Sequence, residues 1–368
     1  MTEILLTIFF ISVLLIFLGS GIWVAISMVG VSSIGMMLFT TRPVGDAMAT
    51  TIWGASSSWT LTALPLFVWM GEILFRTKLS ENLFEGLSPW MQKLPGGLVH
   101  VNVVGCALFA AISGSSAATV ATVGKMSIPE LRKRKYPESI LLGSLAGSGT
   151  LGLLIPPSII LIIYGVTVQE SIAKLFIAGI LPGIMIALIF MTYVMIWSLI
   201  NKKSMPTFKQ DFSLMEKVRK SGKLIPVILL IVSVIGSIYT GIATATEAAS
   251  LGVVGALILS YFQKSLSLRT FKESLLGATK TSCMIAFILA GATFLSLAMG
   301  FTGLPRNLAL WIEGMELSPY VLIFVLMIFY IILGMFLDGI SAVVLTMAII
   351  EPMIRQAGFD MIWFGVFL

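Results

Sequence analysis

Two short polar breaks interrupt long apolar runs in this 368-residue chain: Ser113-Gly114-Ser115-Ser116-Ala117 and Asp338-Gly339-Ile340-Ser341-Ala342. They stand 225 positions apart, and the same offset carries Leu79, Asn82 and Leu83 onto Leu304, Asn307 and Leu308. Hydroxyls and unwound carbonyls are hard oxygen donors that suit Na⁺, while a helix N-terminus favours an anion. In lipid, irregular backbone is tolerated only where protein or a water-filled cavity satisfies its N–H and C=O groups. Paired breaks in two related halves therefore point to the binding site of a membrane transporter.

The first break, within Ile112–Thr119, offers Ser113, Gly114, Ser115 and Ser116 as cation ligands; the competing reading is a small-residue seam for close helix packing. A second element, Leu145–Ser158, holds Gly147, Ser148, Gly149 and Thr150 followed by Gly152 and Pro156-Pro157-Ser158. Glycines and prolines inside an apolar run predict a broken helix whose freed carbonyls an ion could use. The two elements are expected to meet as one cation site. Ser116, Thr119, Pro156, Pro157 and Ser158 are the candidate substrate contacts there.

Asp338, with Gly339 and Ser341, is the candidate for a second ion region. An acid at the bilayer centre costs about 2.5–3.5 kcal/mol on insertion scales and usually marks an ion or proton path. The alternative is a structural pair with a buried cation, for which Arg355 is nearest in sequence. Glu247, in Thr244–Ala249, reads as a helix cap or scaffold brace before a substrate contact, and the lone His100 leaves a proton relay open. Enzyme signatures fail: a single histidine rules out H-E-x-x-H, and neither G-x-S-x-G nor G-x-G-D occurs. The chain is expected not to be an enzyme. A disulfide between Cys106 and Cys283 is possible but unsupported.

The elements that must position these residues are membrane helices. The chain is 58% hydrophobic and 11% charged, against about 25% charged in soluble domains. Its mean hydropathy is +1.04. Apolar runs fall at about 4–18, 22–40, 52–75, 98–123, 139–166, 172–200, 224–243, 248–262, 282–303 and 319–349. Some 20 residues span a bilayer, so runs 98–123 and 319–349 exceed one pass. The start reads as a first transmembrane helix, not a cleaved signal.

Of 23 Lys and Arg, 19 cluster at 76–93, 125–135, 202–223 and 264–280, which the positive-inside rule assigns to the cytoplasm. This distribution, not nucleic-acid binding, accounts for the net charge of +6. Run 98–123 joins two cytoplasmic clusters, so it must turn back as a re-entrant hairpin with its tip near 113–116. Run 282–303 crosses outward, leaving 304–318 periplasmic, and a second hairpin at 319–349 enters from outside. One hairpin from each face defines inverted-topology repeats. The expected organisation is a first repeat at 1–200, a cytoplasmic linker at 201–223 and a second repeat at 224–368. Segment Arg76–Trp90 and a short stretch of the linker suit helices lying on the cytoplasmic surface. Projecting Pro156-Pro157 by the repeat offset leads past Leu368, so the chain is expected to be a fragment lacking its last helices.

Three stretches together resemble the large membrane subunit of tripartite ATP-independent periplasmic (TRAP) transporters. They are Gly96-Gly97-Leu98-Val99-His100-Val101-Asn102 leading into Ile112–Thr119, Gly152–Gly165, and Thr244–Ala249. The resemblance implies an all-α elevator-type secondary transporter of the ion transporter superfamily, with a scaffold and a mobile transport domain carrying both hairpins. It implies Na⁺-driven uptake in the bacterial inner membrane, a small four-helix membrane subunit and a periplasmic substrate-binding protein as partners, and an organic acid as substrate. Sialic acid is favoured and a C4-dicarboxylate is next; the alternative is a binding-protein-independent ion/carboxylate symporter or channel. By the same resemblance Ser113–Ser116 and Gly147–Pro157 match the first sodium region, and Asp338, Gly339 and Ser341 the second. Ala245 stands where family members often have proline.

Overall fold

The structure is a computed structural model that describes residues 3–76, 79–206, 212–303, 307, 318–335 and 337–368. The repeat positions Leu304 and Leu308, the basic residues Lys78, Lys209 and Arg306, and most of the loop assigned to the periplasm lie outside the described residues. Every described regular element is helical. Among the described residues, five helices are long and apolar enough to cross a membrane: Glu138–Thr167 (taken through its break), Ile172–Ile200, Ala245–Phe262, Leu268–Thr302 and Gly339–Gln356. Two bent helix pairs raise this to seven, which makes the chain a multi-pass membrane protein.

By contacts the chain divides into two compact units, interleaved along the sequence. One comprises residues 62–161 and 172–280. There, Ala63–Phe75 lies along Ala245–Phe262, closely enough that a Cβ on Gly252 would stand 2.4 Å from Met70 Sδ. Between lipid-facing helices association rests on van der Waals fit, so small residues set how near two backbones come. The same unit holds a helical hairpin, Val99–Ser113 and Ser116–Lys133, with Glu138–Gly149 packed against both arms.

Groups that the charge distribution assigns to the cytoplasmic face meet one another in this unit. Arg76 pairs with Glu72 at 3.2 Å and Glu273 at 3.1 Å, Arg132 grips Glu138 at 2.7 and 3.0 Å, and Lys223 pairs with Glu85. Helices form at both stretches expected to carry them, Leu79–Met91 and Leu214–Ser221, joined by a Trp90 Nε1 bond to Ser221 Oγ at 2.7 Å. A capping box of Ser213 and Glu216 starts the second of these, and a 55° bend separates it from Ile225–Tyr239.

The other unit comprises residues 1–61, 162–171 and 281–368. Its first two helices, Glu3–Gly19 and Val24–Phe39, pack through Phe10 on Gly35 and Phe17 on Gly30. Met36, Phe294 and Ala298 form a buried cluster with the later part of Leu268–Thr302. Arg42 stacks over the Phe301 ring, 4.4 Å from its centroid. A second helix–turn–helix, Pro319–Gly334 and Gly339–Gln356, is followed by the short helix Met361–Phe367.

Candidate ion-binding tips

At the first tip, helix Val99–Ser113 ends because Gly114 adopts φ +59° and returns its N–H to Ala110 O at 3.0 Å. Ser115 then runs extended and caps the next helix, its Oγ accepting from Ala118 N at 3.4 Å. The carbonyl end of one helix and the amide end of another thus meet at one turn, a pairing that serves a cation and an anion. Ser113 Oγ lies 3.0 Å from Thr119 Oγ1, and Thr119 Oγ1 donates to Ser115 O at 2.7 Å. Thr119 is fully buried, so here its hydroxyl braces the turn; Ser115 and Ser116 are half-buried.

The predicted broken helix is present. Glu138–Gly149 gives way to a single turn at Leu151–Leu154, an extended Ile155, a cis Pro156–Pro157 peptide, and a new helix from Ile159. Ser158 Oγ donates to Leu153 O and accepts from Leu161 N at 3.4 Å, satisfying groups the break frees. Ser148 is buried with its hydroxyl on Ser144 O at 2.6 Å, whereas Thr150 is exposed and bonds Gly147 O at 2.7 Å.

The tip is seated in that break. Ile159 N donates to Gly114 O at 3.3 Å. A Cβ on Gly114 would stand 2.6 Å from Pro157 O, and one on Gly152 would stand 2.9 Å from the Ser115–Ser116 peptide. Two stretches of irregular backbone, roughly forty positions apart in sequence, touch through positions where only glycine fits. The oxygens gathered there are neutral carbonyls and hydroxyls, a donor set that fits Na⁺. Two contacts had no part in the sequence reading. A Cβ on Gly71 would stand 3.0 Å from Ser113 Cα, and one on Gly179 would stand 2.8 Å from Leu154 O. Their signal was a glycine within each apolar helix, at Met70-Gly71-Glu72 and at Gly179 ahead of Pro182-Gly183.

The second tip, in the other unit, is built differently. Asp338 is exposed and caps Gly339–Gln356, with Oδ2 accepting from Ile340 N at 3.1 Å and Ser341 N at 3.2 Å. Ser341 is buried and Gly339 half-buried. Tyr330 and Thr346 brace the two arms through hydroxyls 2.7 Å apart. Arg355 is not the partner of Asp338: it bonds Glu351 Oε1 at 2.9 Å and Val168 O at 3.2 Å.

Two further candidates make local bonds in this arrangement. Glu247 completes a capping box with Thr244, accepting from Thr244 N at 2.8 Å. His100 is fully buried at the hairpin base with Nε2 at 2.7 Å from Pro95 O. A cavity of about 350 Å³ opens beside that base, lined by Pro95, Gly97, Tyr136 and Lys202, not by tip residues.

Over residues 10–368 the chain matches the family model for the DctM component of the tripartite ATP-independent periplasmic transporter. It is 32% identical over 334 residues to the C4-dicarboxylate TRAP transporter large permease protein DctM of Pseudomonas aeruginosa, covering 90% of this chain and 77% of that one. It is 32% identical over 322 residues to the 2,3-diketo-L-gulonate TRAP transporter large permease protein YiaN of Escherichia coli, covering 87% and 75%. To the sialic acid TRAP transporter large permease protein SiaM of Vibrio cholerae it is 29% identical over 350 residues, covering 95% and 81%.

Proposed function

The chain belongs to the DctM-component family of tripartite ATP-independent periplasmic transporters, and from that premise we propose that it is a large permease carrying an organic acid inward with Na⁺ by an elevator movement. Its partners in this reading are a small four-helix membrane subunit and a periplasmic binding protein that delivers the substrate, and its home is the bacterial inner membrane. One observation carries the reading: the Ser113–Ser116 tip sits in the Gly152–Ile159 break, bonded through Ile159 N to Gly114 O and packed where only glycine fits, so that irregular backbone of the two stretches comes together. A Na⁺ held between the two would tie the hairpin to the broken helix, and the amide end of Ser116–Lys133 beside it would attract a carboxylate. Asp338 supplies the charged counterpart at the second tip.

The substrates named for these relatives are carboxylates, which supports an organic acid here; sialic acid and a C4-dicarboxylate are the two candidates to try. The test is uptake into proteoliposomes holding the chain and its small membrane partner, with and without binding protein and an inward Na⁺ gradient. Uptake that needs both supports the reading, and the labelled acid that accumulates identifies the substrate. Uptake indifferent to Na⁺ and to the binding protein would overturn it.

A further inference from the structure

We infer that Arg355, on the second hairpin, and Tyr164, bonded to the short helix that follows it, are positioning residues which clasp the far end of the broken helix and thereby link ion binding at one tip to ion binding at the other. The helix that begins at Ile159, bonded to the first tip through Gly114 O, runs on to Thr167 and the turn at Val168–Ser171. From Ile162 to Ser171 it belongs to the compact unit that also holds residues 1–61 and 281–368. Two side chains contribute to that attachment. Tyr164 is fully buried and donates its hydroxyl to Met361 O at 2.6 Å, across 197 positions of sequence. Arg355, on the distal arm of the second hairpin, donates to Val168 O at 3.2 Å and stands 4.0 Å from Glu170 Oε1. Glu351, one helical turn earlier, holds the guanidinium at 2.9 Å.

The pattern differs from an ordinary surface ion pair. A guanidinium with five donors is divided between two carboxylates and a backbone carbonyl of the Val168–Ser171 turn. A buried phenol fixes the same segment from inside, where its hydrogen bond to Met361 O is shielded from water. Both anchors act on one short segment, and that segment continues without interruption from the break where the first tip sits. Ordering the break by an ion at the first tip therefore biases the segment that the second hairpin grips, and the effect is reciprocal.

This inference rests on the sodium reading above, and its test separates the two. Uptake is measured against Na⁺ concentration in the intact transporter for wild type, Arg355→Gln, Arg355→Lys and Tyr164→Phe, and amide exchange across residues 162–171 is followed in the same proteins. The expected result for Arg355→Gln and Tyr164→Phe is a half-saturating Na⁺ concentration raised roughly fivefold and a Hill coefficient falling toward one, with uptake at saturating Na⁺ near wild type. Arg355→Lys, which keeps the charge, recovers part of the effect. Faster exchange confined to 162–171 accompanies the loss. A fall in maximal uptake with unchanged Na⁺ dependence would make both residues merely structural and overturn the inference. Unchanged exchange in both variants would also overturn it. A wild type whose uptake ignores Na⁺ overturns the sodium reading, and with it the coupling, even where the exchange data show the segment released.

Discussion

The two hairpins turn at positions related by one sequence offset, yet they solve the turn in opposite ways. The first tip is enclosed: Gly114 and Gly152 let its backbone press against Pro157 and the Ser115–Ser116 peptide, and its hydroxyls bond one another. The second tip is more open among the described residues: Asp338 is exposed, and a Cβ added at Gly334, four residues ahead of it, would meet none of them within 4 Å. If both tips hold a cation as proposed, neutral oxygens would suffice where the backbone closes in, because packing already imposes desolvation, and a formal charge such as Asp338 would supply the attraction where the tip is more open.

The largest expected effect attacks that enclosure. Gly152→Ala puts a Cβ into the Ser115–Ser116 peptide, which cannot yield as a flexible side chain would, so the tip must leave the break. Transport should fall by about a hundredfold or more, the equivalent of about 2.7 kcal/mol or more. The matching change on the open side, Gly334→Ala, should leave uptake intact and stabilise its helix by about 0.5–1 kcal/mol. Uptake by reconstituted protein and thermal unfolding in detergent measure the pair. Equal losses at both positions would erase the contrast.

Next in size is Ser116→Leu, which fills the half-buried face of the first tip while sparing the Gly114 turn. Uptake should be blocked with the protein still folded, and normal uptake would remove Ser116 from the ion and substrate path. Smaller again is Asp338→Asn. Asparagine caps a helix about as well as aspartate, so folding should hold while the half-saturating Na⁺ concentration rises roughly tenfold, or about 1.4 kcal/mol. A sodium titration identical to wild type would make Asp338 a cap and nothing more.

The enclosed tip was largely legible in sequence because its signals are local. Ser113–Ser116 and Gly147–Pro157 are small, polar or helix-breaking residues in apolar runs, and each break falls within those stretches. Hydropathy was blind to polar helix. Leu268–Thr302 begins well before the apolar run at 282, over a stretch stabilised by the Arg269–Glu273 pair and by Arg76 reaching across. The second arm of the first hairpin likewise continues through Lys125 to Lys133. The partner of Arg355 had no local signature: Val168 and Glu170 come to it through tertiary packing across nearly two hundred positions. The approach of Gly71 to Ser113 is of the same kind, since nothing around Gly71 says which helix will use the space.

The finest distinction between the tips lies in their caps. Ser115 caps with one neutral hydroxyl and a long 3.4 Å bond, while Asp338 caps with a carboxylate oxygen shared by two N–H groups at 3.1 and 3.2 Å. A charged acceptor at a helix N-terminus also meets the favourable end of the dipole. Alanine at Asp338 should therefore destabilise by about 1–2 kcal/mol, and alanine at Ser115 by about 0.5 kcal/mol or less, because Gly114 and the break still hold the turn. Thermal unfolding of both variants without Na⁺ measures this order directly. If Ser115→Ala proved the costlier, the first tip would depend on its cap after all, and enclosure by backbone would no longer explain why it needs no charge.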